Sequence, residues 1–163
     1  MKSGMYYAIL ITIILPLYLF AEEPAVTTLG EPYELTEPGK YFIAPVWSPL
    51  GDKLAVSSHN YTGIWLVSFP DGDIVELTDE PASGFGLAWS GDGKKIATRV
   101  SRFENRRRYN ALAVFDISNG ERIQVSDYVT LFPGIPRWSK EGNFLYMTAT
   151  DNFKIFSADG NKA

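Results

Sequence analysis

The chain has 163 residues, a mass of 18.2 kDa and a formal net charge of −4, with 45% hydrophobic and 21% charged residues. This composition is typical of a globular protein and excludes collagen-like and disordered classes, while the acidic balance argues against a nucleic-acid partner. The absence of Cys excludes disulfides, zinc–thiolate sites and cysteine nucleophiles, and the single His, His59, excludes multi-histidine metal centres.

Residues 1–21 have the pattern of an export signal. Lys2 carries the only charge, residues 5–21 form an uncharged and mostly apolar run, and Ala21 precedes an acidic residue. This pattern is typical of a secretory signal peptide cleaved after Ala21. Because Leu19 is larger than the residue usually found near such a cleavage site, an uncleaved membrane anchor is an alternative, and a buried core helix is a third.

Export also predicts the compartment. Cleavage after Ala21 would leave 142 residues with 14 basic and 19 acidic side chains, a net charge of −5. An exported domain without disulfides suits a bacterial envelope better than a eukaryotic cell surface. We therefore expect a periplasmic or extracellular protein, or one anchored by residues 5–21, which would then be its only contact with the membrane.

The rest of the chain contains an internal repeat with two landmarks in register. The first landmark is Trp47-Ser48, Trp89-Ser90 and Trp138-Ser139, at spacings of 42 and 49 residues. The second is an apolar residue followed by a hydroxyl, at Leu35-Thr36, Leu77-Thr78 and Val125-Ser126. The apolar residue precedes the next Trp by a nearly constant 12, 12 or 13 residues, which indicates a true repeat.

Each repeat predicts four short antiparallel strands. Strand one ends at Trp-Ser, and a Gly-containing turn leads to strand two, at Lys53–Ser57, Lys95–Arg99 and Phe144–Thr148. Strand three is predicted at Gly63–Phe69, Ala111–Ile117 and Phe153–Ser157. A hairpin then leads to strand four, at Asp71-Gly72, Asn119-Gly120 and Asp159-Gly160. Four strands in roughly 40–45 residues are typical of a β-propeller blade.

We therefore predict an all-β fold, a partial β-propeller of about three four-stranded antiparallel blades preceded by an N-terminal signal helix. The expected blades are residues 41–78, 85–126 and 131–163, after a leader strand within residues 22–40 that would complete the last blade of a closed ring. Propellers need roughly four to eight blades to close. Because the third repeat has no fourth strand, the sequence is expected to be the N-terminal fragment of a longer gene product.

The repeat resembles that of a known family. The segment Pro45-Val46-Trp47-Ser48-Pro49-Leu50-Gly51-Asp52-Lys53-Leu54-Ala55, followed by an apolar strand, Asp-Gly and Leu-Thr, is similar to the repeat of TolB-like proteins. The same repeat occurs in the propeller that covers the active site of prolyl oligopeptidase-type serine peptidases. The resemblance spans about residues 27–160. For TolB it implies a periplasmic propeller that follows an α/β domain and binds envelope partners, including a peptidoglycan-associated lipoprotein. The sequence between leader and first repeat is too short for that domain, so this role is not carried over.

The second repeat contains an insertion between its predicted strands two and three. Five of the 14 basic residues outside the leader lie within residues 99–108, beside aromatic residues. Arginine with aromatic residues is typical of interfaces, and longer loops on rigid scaffolds often carry function. The predicted partner-binding loop consists of Arg99, Arg102, Phe103, Arg106, Arg107, Arg108 and Tyr109. Its expected partner is a protein or an anionic envelope ligand, and the alternative is a solvated loop.

Other candidate positions are interpreted as structural. Trp47, Trp89 and Trp138 are expected to pack blade against blade, because a residue required by every repeat serves the repeat. The Asp-Gly pairs match hairpin turns and no spaced calcium loop. His59 is not expected to be catalytic, because no nucleophile and acid are in register with it and no Gly-x-Ser-x-Gly elbow occurs. We predict no catalytic residue, metal or cofactor.

Three functions stay open at this point. The first is an exported, non-catalytic propeller module that binds a protein or ligand in the cell envelope. The second is the propeller of a prolyl oligopeptidase-type peptidase whose catalytic domain lies outside this sequence. The third is a short protein that closes its ring by forming an oligomer.

Overall fold

A computed structural model describes residues 30–131, 134–148 and 153–161. Residues 33–163 form one compact unit, which contains all the elements below. The expected signal peptide or anchor at 1–21 lies outside the described residues. Within them the chain has eleven strands and no helix. The strands are β1 (Ile43–Trp47), β2 (Lys53–Ser57), β3 (Ile64–Ser68), β4 (Ile74–Thr78), β5 (Ala88–Trp89), β6 (Lys95–Glu104), β7 (Arg107–Asp116), β8 (Arg122–Gln124), β9 (Arg137–Trp138), β10 (Phe144–Thr148) and β11 (Phe153–Ser157).

The strands form three antiparallel sheets, each built from neighbours in sequence. Their orders are β1-β2-β3-β4, β5-β6-β7-β8 and β9-β10-β11, and we name them blade 1, blade 2 and blade 3. Hairpin connections alone produce this order, because each strand pairs with the one before it. The all-β architecture of three- and four-stranded antiparallel sheets is as predicted. In the described part of blade 3 there are three strands.

The turn after each recurring Trp-Ser pair has the same backbone hydrogen bonds in all three blades. In blade 1, the Ser48 N–H donates to the Lys53 carbonyl at 2.9 Å, and the Gly51 N–H donates to the Ser48 carbonyl at 3.0 Å. The glycine has a φ of 72°, which side-chain-bearing residues rarely adopt. The turns that begin at Ser90 and Ser139 repeat both bonds. The Ser-x-x-Gly spacing therefore fixes the position of the Trp relative to strand two.

The core lies between the blades. One buried cluster joins blades 1 and 2 and contains Ala55, Ile64, Leu66, Leu87 and Ile96. Another joins blades 2 and 3 and contains Ala97, Leu112, Val114, Leu145 and Ala158. Ile96 and Ala97 are adjacent in β6 but belong to different clusters, because successive side chains of a strand point to opposite faces. Blade 2 is therefore buried on both faces, as its nearly continuous apolar strands require.

The prediction of a loop at residues 99–110 is wrong, because residues 99–104 belong to β6 and residues 107–110 to β7, with only a two-residue turn between them. β6 and β7 pair over ten residues each, from Lys95 opposite Asp116 to Glu104 opposite Arg107. The two strands continue beyond their neighbours, since β5 pairs only with the beginning of β6 and β8 pairs only with the end of β7. Polar side chains on both faces of this extension hide the apolar alternation by which a strand is normally predicted.

Residues 32–36 pair with no strand among the described residues. Leu35 instead lies against the turn between β3 and β4, where its carbonyl oxygen occupies the place of any side chain at Gly72. Gly72 also has a φ of 77°, so both space and backbone conformation require glycine there. Completion of a last blade by this segment stays a prediction.

Candidate functional site

The extension of β6 and β7, residues 99–110, ends in a two-residue turn. Asn105 and Arg106 have φ values of 48° and 63°, the left-handed conformations of a type I′ hairpin turn. This turn matches the right-handed twist of the two strands, so the extension is a regular hairpin that presents its tip beyond β5 and β8. We call residues 99–110 the arginine hairpin.

Two arginines of the arginine hairpin contact aromatic rings of neighbouring loops. The Arg99 guanidinium lies 4.4 Å from the ring centroid of Phe85, and that of Arg102 lies 4.2 Å from Tyr128. Arg102 also forms an ion pair with Glu104, with Nε 3.3 Å from Oε1. Cation–π contacts of this kind stabilise a partly exposed arginine by roughly 0.5–1 kcal/mol. These arginines therefore attach the hairpin to blade-connecting loops.

A third arginine joins a buried polar pair at the base of the arginine hairpin. The Ser101 hydroxyl donates to Asn110 Oδ1 at 2.7 Å, and both residues are buried. Arg108 Nε donates to the same Asn110 oxygen at 2.9 Å and to Ser101 Oγ at 3.2 Å. Burial lowers the pKa of the Arg99 guanidinium, and the nearby charge of Arg108 lowers it further. A guanidinium stays protonated at neutral pH in spite of such a shift, so the hairpin keeps its positive charge.

The tip presents the remaining residues to solvent. Arg106 and Arg107 are exposed and have no hydrogen bond or ion pair within the part of the chain that the structure describes. Phe103 is 67% exposed and lies opposite Arg108 in the hairpin. Tyr109 is half-buried below the tip. Of the seven residues predicted for partner binding, Phe103, Arg106 and Arg107 are exposed in or beside the turn, with Phe103 and Arg107 on opposite faces of the two strands. Arg99, Arg102 and Arg108 make contacts within the fold.

Sequence reasoning missed the aromatic residues that support the arginine hairpin. Phe85 packs edge-on against Tyr61, with ring centroids 5.3 Å apart, and Tyr128 accepts a hydrogen bond from Arg122 at 3.2 Å. These residues come from the β2–β3 connection and from the connections between blades. Their aromatic character is visible in the sequence, but only the fold brings them beside the arginines.

The Trp residues of the second and third repeats each donate a hydrogen bond to the preceding blade. Trp89 Nε1 donates to the Val46 carbonyl at 3.1 Å, and Trp138 Nε1 donates to the Ala88 carbonyl at 2.8 Å. Val46 and Ala88 are the residues directly before the Trp of the preceding repeat. Trp47 is 52% exposed and packs edge-on against Phe69 at 5.5 Å between ring centroids. The Trp positions thus contribute directed contacts between blades.

The described residues contain no group of three or more His, Asp or Glu that could hold a metal ion. His59 lies exposed in the connection between β2 and β3. No helix within residues 30–131, 134–148 and 153–161 is long and apolar enough to cross a membrane.

Comparison with known proteins places the fold. No protein-family model and no curated protein sequence matches the chain. Among solved structures, TolB from Acinetobacter baumannii is similar with a TM-score of 0.55 and 16% identity, over 72% of this chain and 32% of TolB. Acylaminoacyl peptidase from Pyrococcus horikoshii is similar with a TM-score of 0.58 and 14% identity, over 75% of this chain and 24% of the peptidase. A prolyl endopeptidase is similar with a TM-score of 0.56 and 12% identity, over 76% of this chain and 21% of the endopeptidase.

These similarities concern the fold. The chain spans about a third of the length of TolB and about a quarter of the acylaminoacyl peptidase. At such identities, shared architecture carries no shared site. The prediction of a partial, TolB-like β-propeller with three antiparallel blades is confirmed at the level of the fold.

Proposed function

We propose that this chain is a non-catalytic β-propeller module that binds a negatively charged partner in the cell envelope through the tip of the arginine hairpin. The observation that supports this is the exposure of Arg106 and Arg107, and of Phe103 near them in the chain, at the end of a hairpin whose base is held by buried hydrogen bonds. The chain as a whole is acidic, so the tip is a local concentration of the opposite charge.

The proposed mechanism is that the rigid blade holds a binding group in place for its partner, without a chemical reaction. A binding group on regular strands loses little conformational freedom when its partner arrives, which favours affinity. Arg102 on Tyr128 and Arg108 on Asn110 restrain the two strands on either side of the tip. An aromatic side chain flanked by arginines supplies apolar area together with charge-assisted hydrogen bonds.

Export to a periplasmic or extracellular location is part of the proposal. Its support is the signal-like pattern of residues 1–21 and the structural similarity to TolB, whose fold the chain shares. We also propose that the three blades are part of a larger propeller, with the N-terminal portion of a longer TolB-like gene product as the form expected from the repeats.

A second candidate is the propeller of a serine peptidase of prolyl oligopeptidase type. It is favoured by the similarity to acylaminoacyl peptidase and prolyl endopeptidase, in which this chain spans only about a quarter of the length. The genomic sequence downstream distinguishes the two candidates. A strand, a Gly-x-Ser-x-Gly turn and a helix after further blades would identify the peptidase, and a stop codon after further blades would favour the binding module.

The binding proposal is tested with the double variant Arg106→Gln, Arg107→Gln in the full chain. Binding is measured to phosphatidylglycerol vesicles and to an immobilised polyglutamate peptide, at low and high salt. A basic residue near an anionic surface contributes about 1 kcal/mol, so we expect vesicle binding to weaken by roughly thirtyfold. The two probes distinguish a lipid surface from an acidic protein.

The matched control is Lys94→Gln, Lys140→Gln, which removes two exposed positive charges from turns outside the arginine hairpin. Lys94 precedes β6, at the opposite end of that strand from the tip. We expect this variant to bind both probes as the native chain does. Equal binding by the native chain and the hairpin variant, or equal loss in both variants, would reject the tip as the binding site.

A further inference from the structure

The arginine hairpin has two edges, and backbone contacts with neighbouring segments occur only at its base. On the β6 edge, the Ser101 N–H donates to the Pro81 carbonyl at 2.9 Å. On the β7 edge, Asn110 and Val129 exchange two backbone hydrogen bonds, of 2.8 and 2.9 Å. Ser101 and Asn110 lie opposite each other, so both contacts are at the same level of the hairpin.

The backbone groups nearer the tip are unpaired on both edges. In an antiparallel pair of strands, every second residue directs its N–H and C=O away from the partner strand. Ser101 and Asn110 do so, because they bond to neighbouring segments. Phe103 and Arg108 lie two residues nearer the tip and therefore do the same. Their outward backbone groups have no hydrogen bond to any described residue, so each edge offers a short unpaired strand.

The charges beside the two edges differ. The β7 edge carries Arg107 and Arg108 and is continued by Arg106 in the turn, and none of these three has an ion pair with a described carboxylate. Beside the β6 edge, Arg102 is already paired with Glu104, whose carboxylate repels an acidic neighbour. Cross-strand neighbours of opposite charge stabilise a sheet, and like charges destabilise it. The β7 edge is therefore the one that fits an acidic strand.

We infer that an extended acidic segment of a partner protein adds as a strand to the β7 edge of the arginine hairpin. Its backbone accepts from the Arg108 N–H and donates to the Arg108 carbonyl, which continues the pairing that Val129 begins at Asn110. Successive side chains of a strand lie on opposite faces of the sheet. Carboxylates at every second position of the added strand lie beside Arg107, and the residue between two of them lies opposite Arg108.

This inference rests on the proposed function and specifies the partner. The charge of the tip alone fits any anionic surface, including a lipid bilayer. The unpaired N–H and C=O of Arg108 favour a polypeptide, because a lipid headgroup does not present alternating donors and acceptors at the spacing of a strand. A lipid surface is therefore one outcome of the test below.

The test uses the full chain, in nonionic detergent because residues 5–21 are apolar, and a blocked octapeptide of alternating Thr and Glu. Two N-methylated forms probe the backbone of this peptide, one methylated at each Thr and the other at each Glu. Each form lacks the N–H groups along one edge of the peptide strand. With Glu beside Arg107, it is a Thr N–H that donates to Arg108. We therefore expect the Thr-methylated form to bind at least roughly fivefold more weakly than the parent peptide, and the Glu-methylated form to bind within about twofold.

Two measurements on the chain locate the added strand. Arg107→Gln should weaken binding of the parent peptide by roughly threefold to fivefold, since it removes one exposed charge pair. Lys94→Gln removes an exposed charge from the turn before β6 and should leave binding unchanged. In amide hydrogen exchange, the peptide should protect the Arg108 N–H. The Phe103 N–H, which points to the other edge, should exchange as it does in the free chain.

The outcomes separate this inference from the proposed function. Equal binding of the parent and both methylated peptides, with a loss in Arg107→Gln, would mean recognition by charge alone and would overturn the added strand only. Protection of the Phe103 N–H in place of that of Arg108 would move the strand to the β6 edge and also overturn the inference. Binding to phosphatidylglycerol vesicles but to no peptide would assign the tip to a lipid surface. If neither peptides nor vesicles bind, the proposed function fails together with the inference.

Discussion

At the residue scale, the Trp of the repeat is both a core residue and a directed donor. The rings of Trp89 and Trp138 pack against the clusters between blades, while their N–H groups reach carbonyls of the preceding blade. A ring without the N–H would pack in the same place but would leave a carbonyl without this donor. This explains why Trp, and no other large apolar residue, recurs at the position.

Trp89→Phe tests this role. The substitution keeps an aromatic ring and removes the 3.1 Å hydrogen bond to Val46, so we expect a loss of about 1 kcal/mol in the free energy of unfolding. Urea denaturation gives the value. The matched control is Trp47→Phe, where the same chemical change removes no hydrogen bond to another described residue. Equal losses at the two positions would mean that packing alone explains the Trp.

The serine after each Trp shapes the adjoining turn through a carboxylate in blades 1 and 2. Ser90 Oγ donates to Asp92 Oδ1 at 2.6 Å, and the Lys94 N–H donates to the same oxygen at 3.1 Å. These bonds, with that of Ser90 first, lower the pKa of Asp92 below its usual 3.8. A depressed pKa in the folded state stabilises the fold above the usual value, and this stability is lost as the pH falls through the folded pKa.

Asp92→Asn should therefore be less stable than the native chain at neutral pH and should lose less stability on acidification. Urea midpoints measured from about pH 6 down to about pH 2 would show the difference between the two curves shrinking below pH 3.8. Glu76→Gln, which removes an exposed carboxylate from β4, is the control. Parallel curves for native chain and Asp92→Asn would contradict the expectation.

The candidate site was only partly predictable at this scale. Composition drew attention to the arginines of residues 99–108, and the structure does place Arg106 and Arg107 at an exposed tip. Composition could not separate these two arginines from Arg102 and Arg108, which contact Tyr128 and Asn110 within the fold. That distinction depends on Tyr128 and Asn110, whose positions follow from strand pairing and from the path between blades.

At the element scale, the hairpins of blades 1 and 3 were predicted closely and that of blade 2 was not. Strand two of blade 1 was predicted at the observed Lys53–Ser57, and strand three within one residue at each end. In blade 2 both strands continue to the turn at Asn105. The difference has a physical cause. Beyond the buried pair of Val100 and Ala111, no apolar core cluster of the described residues reaches the two strands, so no apolar alternation is imposed there and pairing between the strands maintains the ladder.

The turn of the arginine hairpin offers a test at this scale. Arg106 has a φ of 63°, which costs a residue with a side chain roughly 1–2 kcal/mol relative to glycine. Arg106→Gly should therefore stabilise the hairpin and raise hydrogen-exchange protection near the tip at least about fivefold. Arg107→Gly removes the same charge from a strand position and should lower protection. A decrease in both variants would show that charge, and not backbone conformation, controls the tip.

At the scale of the whole molecule, the repeat in the sequence predicted the architecture. Register and spacing in the sequence were sufficient for three antiparallel blades, since each blade is local in the chain. The contacts between blades were not predictable in detail, because Trp89 finds its acceptor at Val46 only after stacking.

The identical turns after Trp47, Trp89 and Trp138 have one more consequence. Their backbone hydrogen bonds lie within a single blade, so each blade fixes the position of its own Trp independently of the neighbouring blade. Stacking one blade on the next therefore needs little ordering of the Trp that donates the hydrogen bond, and resembles the association of two rigid bodies. A stack of such blades has a direction, because the indole N–H groups of Trp89 and Trp138 both bond to the preceding blade. This direction determines which face of a blade can contact the next blade and in which alignment, much as polarity determines which end of a filament accepts the next subunit.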